Sequence, residues 1–225
     1  MGSDNFTKRK KNERKARTSQ ELKLRAETWL IVCEGTKTEP NYFTSLFNYV
    51  NTLCEKQIKF KVVGTGRNTE SLVNSVENLF NFTTKEISNK MIRYGKIFVV
   101  FDKDDFTNNA FNNAVNMCIR KDYIPLWSNE CIELWFLLHF DYLDAAITRT
   151  DYCDKLSQRL KIKYSKNGDN FFLLGNLDRI PLAYRYAKKL EQSLHCGKRP
   201  AEQKPCTTVY KIIDEIEEYM EIKIK

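Results

Sequence analysis

The chain has 225 residues, a mass of 26.6 kDa, 42% hydrophobic and 29% charged side chains, and a formal net charge of +8. This length and composition favour one domain, or one domain with an appended subdomain, and exclude a globally disordered chain. An apolar run of about 18 residues and an apolar N-terminal segment are both missing, so we expect neither a spanning helix nor a secretory signal. The seven cysteines are scattered without CxxC spacing, which favours a reducing cytoplasm over a disulfide framework or a zinc site.

Positive charge is concentrated in two segments. Residues 1–25 carry nine basic and three acidic side chains, and residues 151–199 carry eleven and five. Such clusters suit a polyanion like nucleic acid, because each phosphate that they neutralise releases condensed counterions. For the first cluster a solvated, partly disordered tail is the simplest interpretation. In the second, aromatic side chains interleave with the cations, and they suit either base stacking or the packed face of small helices.

Four short apolar runs predict strands, and a segment with helical spacing follows each of them. The strands are expected at residues 29–33, 58–63, 96–101 and 123–127, and the helices at 38–55, 70–86, 106–120 and 130–140. This alternation predicts an α/β fold with a mostly parallel four-stranded sheet between helices.

Three parts of the chain are expected. They are a basic flexible tail at residues 1–25, the α/β domain at 26–145 and a helical C-terminal region at 146–225. The last part shows helical patterns at 181–194 and 207–221 and no convincing strand.

Acidic side chains follow two of the predicted strands. Glu34 ends the first, and Asp102 and Asp104 follow the third, where extended backbone would point both to one side. Ligands of an open parallel sheet bind beyond the carboxyl ends of its strands, so these three carboxylates can meet. Clustered carboxylates repel one another unless a cation joins them, and oxygen-rich sites prefer Mg²⁺, with Mn²⁺ as a substitute.

Simpler interpretations compete with a metal site. A DxD pair matches often by chance, and it is Glu34 at the matching end of another strand that favours function. Glu39, at a helix start, and Asp105 are secondary candidates. For Asp105, capping of the helix expected at residue 106 is the favoured interpretation.

A third acidic group follows the fourth strand. Glu130 and Glu133 are three residues apart and would share one face of the predicted helix. Glu133 lies in an apolar segment, where it needs either a divalent cation or a buried arginine or lysine. The turn at residues 64–68 lacks the P-loop pattern, so we expect no nucleotide hydrolysis site. Neither histidine, His139 nor His195, has metal-like spacing.

Three motifs resemble those of the RloB-like family. They are IVCEGTKTEPNYF at residues 31–43, VVFDKDD at 99–105 and SNECIELWFLLHF at 128–140. One position departs, because the family usually has proline where Glu130 stands. Residues 164–166 and 204–209 resemble family positions more weakly.

The resemblance implies a TOPRIM-type domain, a magnesium-dependent fold with a four-stranded, largely parallel sheet. Glu34 then takes the place of the TOPRIM glutamate, and Asp102 and Asp104 take the place of its DxD pair. Family members are typically encoded beside an AAA or ABC-type ATPase in phage-defence and restriction-modification-linked loci.

The resulting hypothesis is a cytoplasmic, Mg²⁺-dependent nuclease, the effector subunit of an AbiL-like abortive-infection system with a partner ATPase. Its substrate would be DNA or RNA, including transfer RNA. Assembly into a homo-oligomer is a further possibility that the sequence does not decide. The expected catalytic residues are Glu34, Asp102 and Asp104, the expected further metal ligand is Glu133, and the expected phosphate-binding residues are Lys37, Arg67, Lys103 and Lys166. The alternative is a non-catalytic subunit that binds metal, nucleotide or protein. A primase-like polymerase is disfavoured, because no zinc module is recognisable.

Overall fold

The computed structural model describes residues 10–15, 17, 28–86, 94–104, 106–194 and 197–225, with backbone only for 80–86 and 193–194. Within the predicted tail, residues 10–15 and 17 are helical and exposed. The rest of that tail, Asp105 and His195 lie outside the described residues.

Strands and helices alternate up to residue 129, as the apolar pattern predicts, and mainly helices follow. The strands are β1 (Thr28–Cys33), β2 (Lys59–Gly64), β3 (Lys96–Asp102), β4 (Ile124–Asn129) and β5 (Cys206–Thr207). The helices are α1 (Thr38–Val50), α2 (Thr69–Glu86), α3 (Asn108–Arg120), α4 (Glu133–Leu137), α5 (Arg149–Leu160), α6 (Asn170–Leu173), α7 (Ile180–Lys189) and α8 (Lys211–Met220). Short 3₁₀ turns lie at Asn176–Arg179 and Pro200–Glu202, and a π-helical turn at Leu190–Leu194.

The strands form one sheet in the order β2-β1-β3-β4-β5. Strands β1 to β4 are parallel, and β5 pairs antiparallel with β4. The α/β class with a mostly parallel sheet is therefore confirmed, but the sheet has five strands rather than the predicted four. Strand β5 lies in the region where no strand was expected, because two residues are too few to show an alternating pattern.

Two apolar layers sandwich the sheet. On one face, side chains of α1 and the C-terminal helices pack against Trp29, Ile31 and Phe98. On the other face, α2 and α3 cover Leu30 and Val99. Burial on both faces explains why β1 and β3 read as continuous apolar runs. Since β1 and β3 are neighbours, the residues that follow them lie side by side.

Several predicted helix boundaries differ in the structure. Helix α1 ends at Val50 rather than residue 55, and the Asn51 side chain bonds both the N–H and the carbonyl of Ile58 to close the following loop. Helix α3 begins at Asn108, and the hydroxyl of Thr107 caps it by accepting from the Ala110 N–H. The cap assigned to Asp105 was therefore wrong.

The predicted helix at 130–140 is reduced to α4, five residues long. Glu130 lies before it, so Glu130 and Glu133 do not share a helix face. Helix α8 begins at Lys211 instead of residue 207, because Thr207 belongs to β5 and the Thr208 N–H donates to the Trp127 carbonyl of β4. None of the helices that the structure describes combines the length and apolarity needed to cross a bilayer.

Candidate active site

A pocket of about 330 Å³ opens at the carboxyl edge of the parallel strands. It gathers five carboxylates and three cationic side chains from the end of β3, from the loops after β1 and β3, from the first turns of α1 and α4, and from the C-terminal region. The acids are Glu34, Glu39, Asp102, Asp104 and Glu133, and the cations are Lys37, Arg149 and Lys166. All three expected catalytic residues therefore lie in one pocket.

Hydrogen bonds join the ends of the three central strands beneath this pocket. The Glu34 N–H donates to the Val100 carbonyl at 2.9 Å, which extends the pairing of β1 with β3. The Lys103 N–H donates to the Ser128 carbonyl at 2.8 Å, which does the same for β3 and β4. The acidic loops are thus fixed by the sheet itself.

Asp102 and Asp104 converge for a different reason from the one predicted. Strand β3 ends at Asp102, and Asp104 has a φ of 39°, in the left-handed region that aspartate tolerates better than most residues. The chain turns between the two residues instead of staying extended. Both carboxylates nevertheless contact one group, the guanidinium of Arg149.

Arg149 is a pocket residue that sequence reasoning missed. It opens α5, whose first turn is fixed by a capping box between Thr148 and Asp151. Its Nη2 lies 3.4 Å from Asp102 Oδ2 and closer still to Asp104 Oδ1. The TxxD pattern at residues 148–151 marks the helix start, but no sequence signal pairs Arg149 with acids more than 40 residues away.

Glu39 lines the pocket, although the sequence analysis treated it only as a secondary candidate. It is 6% exposed, and its carboxylate folds back against the loop that carries Glu34. A Cβ placed on Gly35 would lie 2.1 Å from Glu39 Oε2. Glycine at position 35 therefore makes room for this carboxylate.

Glu133 combines a buried position with a cationic partner. Its side chain is 2% exposed, and Lys166 Nζ lies 3.6 Å from Oε1. The Tyr164 hydroxyl donates to the same oxygen at 3.2 Å. The sequence left a divalent cation and a basic side chain as alternative partners of Glu133. In the structure its charged partner is Lys166. The Thr38 hydroxyl donates to the Lys166 carbonyl at 3.2 Å and ties this loop to the start of α1.

Crowding of the acids in a buried space raises their pKa values. Burial raises the pKa of Glu34 to about 7, and repulsion from Asp104 and Glu39 adds to this, while the hydrogen bond from Asp102 opposes it. The pKa of Asp102 is raised by burial and then by Glu39 and Glu133. Burial also raises the pKa of Glu39. By formal count the five acids of the pocket outnumber its three cations, and the raised pKa values are the response to this crowding and burial.

The donor set has the chemistry of a magnesium site, since carboxylate oxygens are the ligands that this ion prefers. Among the described residues, however, no three acidic, cysteine or histidine side chains are placed to bind one ion together. Arg149 stands between Asp102 and Asp104 instead. The residues therefore suit a divalent cation in type and charge. In this structure, the guanidinium of Arg149 holds the two aspartates together.

Some of the predicted site residues lie elsewhere. Lys37 and Lys166 line the pocket, but Arg67 is exposed outside it. Lys103 does not line the pocket, and its Nζ donates to the backbone carbonyls of Asp104 and Phe106. Glu130 pairs with Lys204 outside the pocket.

His139 is a buried, structural histidine. Its Nδ1 lies 2.9 Å from the Trp135 carbonyl, and burial lowers its pKa to about 4. The six cysteines within the described residues form no disulfide.

Fold and site together define an α/β protein with an acid-rich pocket at the carboxyl edge of a mostly parallel sheet. The chain belongs to the RloB-like family: the family model described as RloB-like protein matches residues 29–216, which include every residue of the pocket. A search of curated proteins and a search of solved structures each gave no match.

Proposed function

We propose that this protein is a Mg²⁺-dependent, TOPRIM-type nuclease that serves as the effector subunit of a bacterial anti-phage system with a partner ATPase. The observation that carries the proposal is the assembly of five carboxylates beside Lys37 and Lys166 in one pocket at the sheet edge. The nuclease chemistry follows from this assembly together with the family resemblance. The defence role and the ATPase follow from the resemblance alone.

Asp102 and Asp104 would hold the ion and Glu133 would be a further ligand after a movement of their side chains, since among the described residues no three acids are already placed to share one ion. When bound, Mg²⁺ would polarise the phosphodiester and stabilise the leaving oxygen. Glu34 would either bind a second ion or accept a proton from the attacking water. Its pKa of about 7 favours the second role, because a general base works best when its pKa is near the working pH.

The cations at the pocket rim would bring the substrate to the acids. Lys37 and Lys166 are exposed, whereas Glu39, Asp102 and Glu133 are buried. A nucleic-acid backbone approaching five carboxylates would be repelled unless cations met its phosphates first. We therefore assign phosphate binding to Lys37 and Lys166.

The family resemblance assigns ATP hydrolysis to a partner, and the turn after β2 is occupied with another task. The turn after β2 follows a strand, as a P-loop does, but its backbone serves the acidic pocket. The Thr65 N–H donates to the Cys33 carbonyl at 3.0 Å, and the Gly66 N–H donates to the Glu34 carbonyl at 2.9 Å. These donors support the loop that carries Glu34 rather than facing a phosphate.

The test is cleavage by the purified chain, alone and together with an ATPase whose gene is found next to its own. The substrates are DNA, total RNA and transfer RNA with Mg²⁺, and a reaction with chelator is the blank. We expect wild type to cleave at least one substrate, and Asp102→Ala and Glu34→Ala to lose activity by roughly 10²-fold or more. Asp178→Ala removes an exposed carboxylate outside the pocket and should keep full activity. Equal cleavage by all four folded proteins would refute the proposal.

A non-catalytic role as a metal- or nucleotide-binding or protein-binding subunit is the second candidate. It is favoured by Arg149, which neutralises Asp102 and Asp104 without an ion. Fold alone does not establish cleavage. Binding of Mg²⁺ without cleavage, both alone and with the ATPase, would support this second candidate.

A further inference from the structure

Arg149 holds the two aspartates in the position where the proposed function requires a cation. We infer that Arg149 is an exchangeable counter-ion: it competes with a divalent cation for Asp102 and Asp104, and once displaced it binds a phosphate oxygen of the nucleic acid. The second half rests on the proposed function. The first half concerns only this chain and a divalent ion.

The contact between Arg149 and the aspartates leaves one donor of the guanidinium, Nε, unused. One nitrogen, Nη2, meets both carboxylates, and its distance to Asp102 Oδ2 is 3.4 Å. A paired fork of two parallel N–H bonds, the strongest arrangement of arginine with a carboxylate, is not formed with Asp102. Because one nitrogen makes the contact with both carboxylates, a competing cation can replace it.

The Nε of Arg149 supplies an independent observation. This N–H is buried and has no hydrogen-bond partner among the described residues. A buried donor without an acceptor destabilises the arrangement that contains it, and an anionic oxygen would satisfy it. The guanidinium therefore has donor capacity left for a phosphate.

Charge explains the exchange. A divalent ion brings two charges directly onto carboxylate oxygens, whereas the guanidinium brings one spread over a planar group. Once the ion is bound, it repels the guanidinium. The Arg149 side chain is 38% exposed, so it can move toward solvent without unpacking the core.

The backbone of α5 limits where that side chain can go. The capping box of Thr148 and Asp151 fixes the first turn, so a change of side-chain rotamer is sufficient and the helix stays in place. Lys37 and Lys166 line the same pocket. A displaced Arg149 would join them and complete a group of three cations around a phosphate.

The first experiment titrates Mn²⁺ into the full chain and measures bound ion by calorimetry and electron paramagnetic resonance. We expect Arg149→Met to bind Mn²⁺ more tightly than wild type, by on the order of fivefold, which is the upper range for a partly exposed ion pair. Arg159→Met is the matched control, because Arg159 lies on the same helix and pairs with Asp141 outside the pocket. It should bind Mn²⁺ as wild type does.

Equal or weaker Mn²⁺ binding by folded Arg149→Met, or no binding by any of the three proteins, would overturn the inference. Thermal unfolding verifies that each variant is folded. If Arg149→Met does not fold, Arg149→Gln carries the same test, since it also removes the charge and keeps a polar end.

The second experiment tests the transfer to phosphate. It compares binding of a labelled oligonucleotide by Glu34→Ala and by Glu34→Ala/Arg149→Met, so that cleavage does not intervene. With Mn²⁺ present, the double variant should bind more weakly by about threefold or more, the scale of one lost phosphate contact. Without Mn²⁺ the loss should be smaller, because Arg149 is then held by the acids and acts on the oligonucleotide only through its charge. An equal loss in both conditions, or no loss in either, would overturn the transfer.

Different results would refute the proposed nuclease function and the counter-ion role of Arg149. A wild-type protein that cleaves no nucleic acid, while Arg149→Met still binds Mn²⁺ more tightly, would refute the nuclease and leave the counter-ion in place. Cleavage that depends on Asp102, with Mn²⁺ binding unchanged in Arg149→Met, would refute the counter-ion alone.

Discussion

The carboxylate of Glu34 accepts a hydrogen bond from the backbone N–H of Asp102 at 3.3 Å. This bond crosses between neighbouring strands, one residue beyond the pairing of Cys33 with Val100. It holds an acid of the first motif against the backbone of the second. The same burial that makes the contact possible raises the pKa of Glu34 to about 7.

Glu34 should therefore make the stability of the protein fall as pH rises. Between its ordinary pKa of 4.5 and about 7, Glu34 binds more protons in the folded state than in the unfolded state. The free energy of unfolding then decreases with rising pH, and the contribution of the protonated form is lost above pH 7. We expect Glu34→Gln to be more stable than wild type at pH 8 and close to it at pH 4.5.

Thermal unfolding of wild type and Glu34→Gln across pH 4.5 to 8 measures this difference. The matched control is Glu55→Gln, which neutralises an exposed glutamate far from the pocket and should follow wild type. Parallel curves for wild type and Glu34→Gln would show that the buried carboxylate does not titrate as proposed. If Glu34 is the general base, cleavage should rise with pH through about 7.

Gly64 should be sensitive to the smallest enlargement. A Cβ at this position would lie 2.6 Å from the Gly35 carbonyl oxygen and 2.8 Å from Thr36 Cα, both backbone atoms of the acidic loop. We expect Gly64→Ala to lower the free energy of unfolding by roughly 1–3 kcal/mol, as overpacking does. It should also weaken Mn²⁺ binding, because the loop that carries Glu34 must shift.

Chemical denaturation and Mn²⁺ titration measure both effects. At Gly168, the nearest atom to an added Cβ is the Ser165 carbonyl oxygen at 3.4 Å, close to an ordinary contact distance. Gly168→Ala should therefore change stability much less. The prediction is wrong if the two alanine variants are equally stable.

The hydrogen bond beneath α4 should contribute measurably to stability. Trp135 Nε1 donates to the Tyr42 hydroxyl at 2.8 Å, and both side chains are fully buried. Tyr42→Phe leaves the indole N–H without its acceptor, and we expect a loss of about 1–3 kcal/mol in unfolding free energy.

Tyr186→Phe is the control for this change. Tyr186 is partly exposed, and its hydroxyl makes no hydrogen bond among the described residues, so the loss should stay within about 0.5 kcal/mol. Urea unfolding compares the three proteins. Equal midpoints for Tyr42→Phe and wild type would show that the buried bond contributes no net stability.

Local sequence determined the sheet and the edge at which the acids meet. Apolar runs such as WLIVC and KIFVVF can be buried on both faces only in parallel strands covered by helices. The residues after β1 and β3 must then emerge at one edge, so Glu34, Asp102 and Asp104 could be placed together without a structure. Lys37 followed from its position in the same loop. The division of the chain at residue 145 stays a prediction.

Tertiary packing alone decided how that site is completed. Strand β5 exists because Cys206 and Thr207 pair with the open edge of β4, a contact across more than 70 residues that no local pattern encodes. Arg149 reaches Asp102 and Asp104 only because α5 packs with its first turn at the pocket. Glu130 and Glu133 are separated because the chain enters α4 between them. Propensity and periodicity act over a few residues, whereas ion pairs and strand pairing depend on which distant segments the core brings into contact.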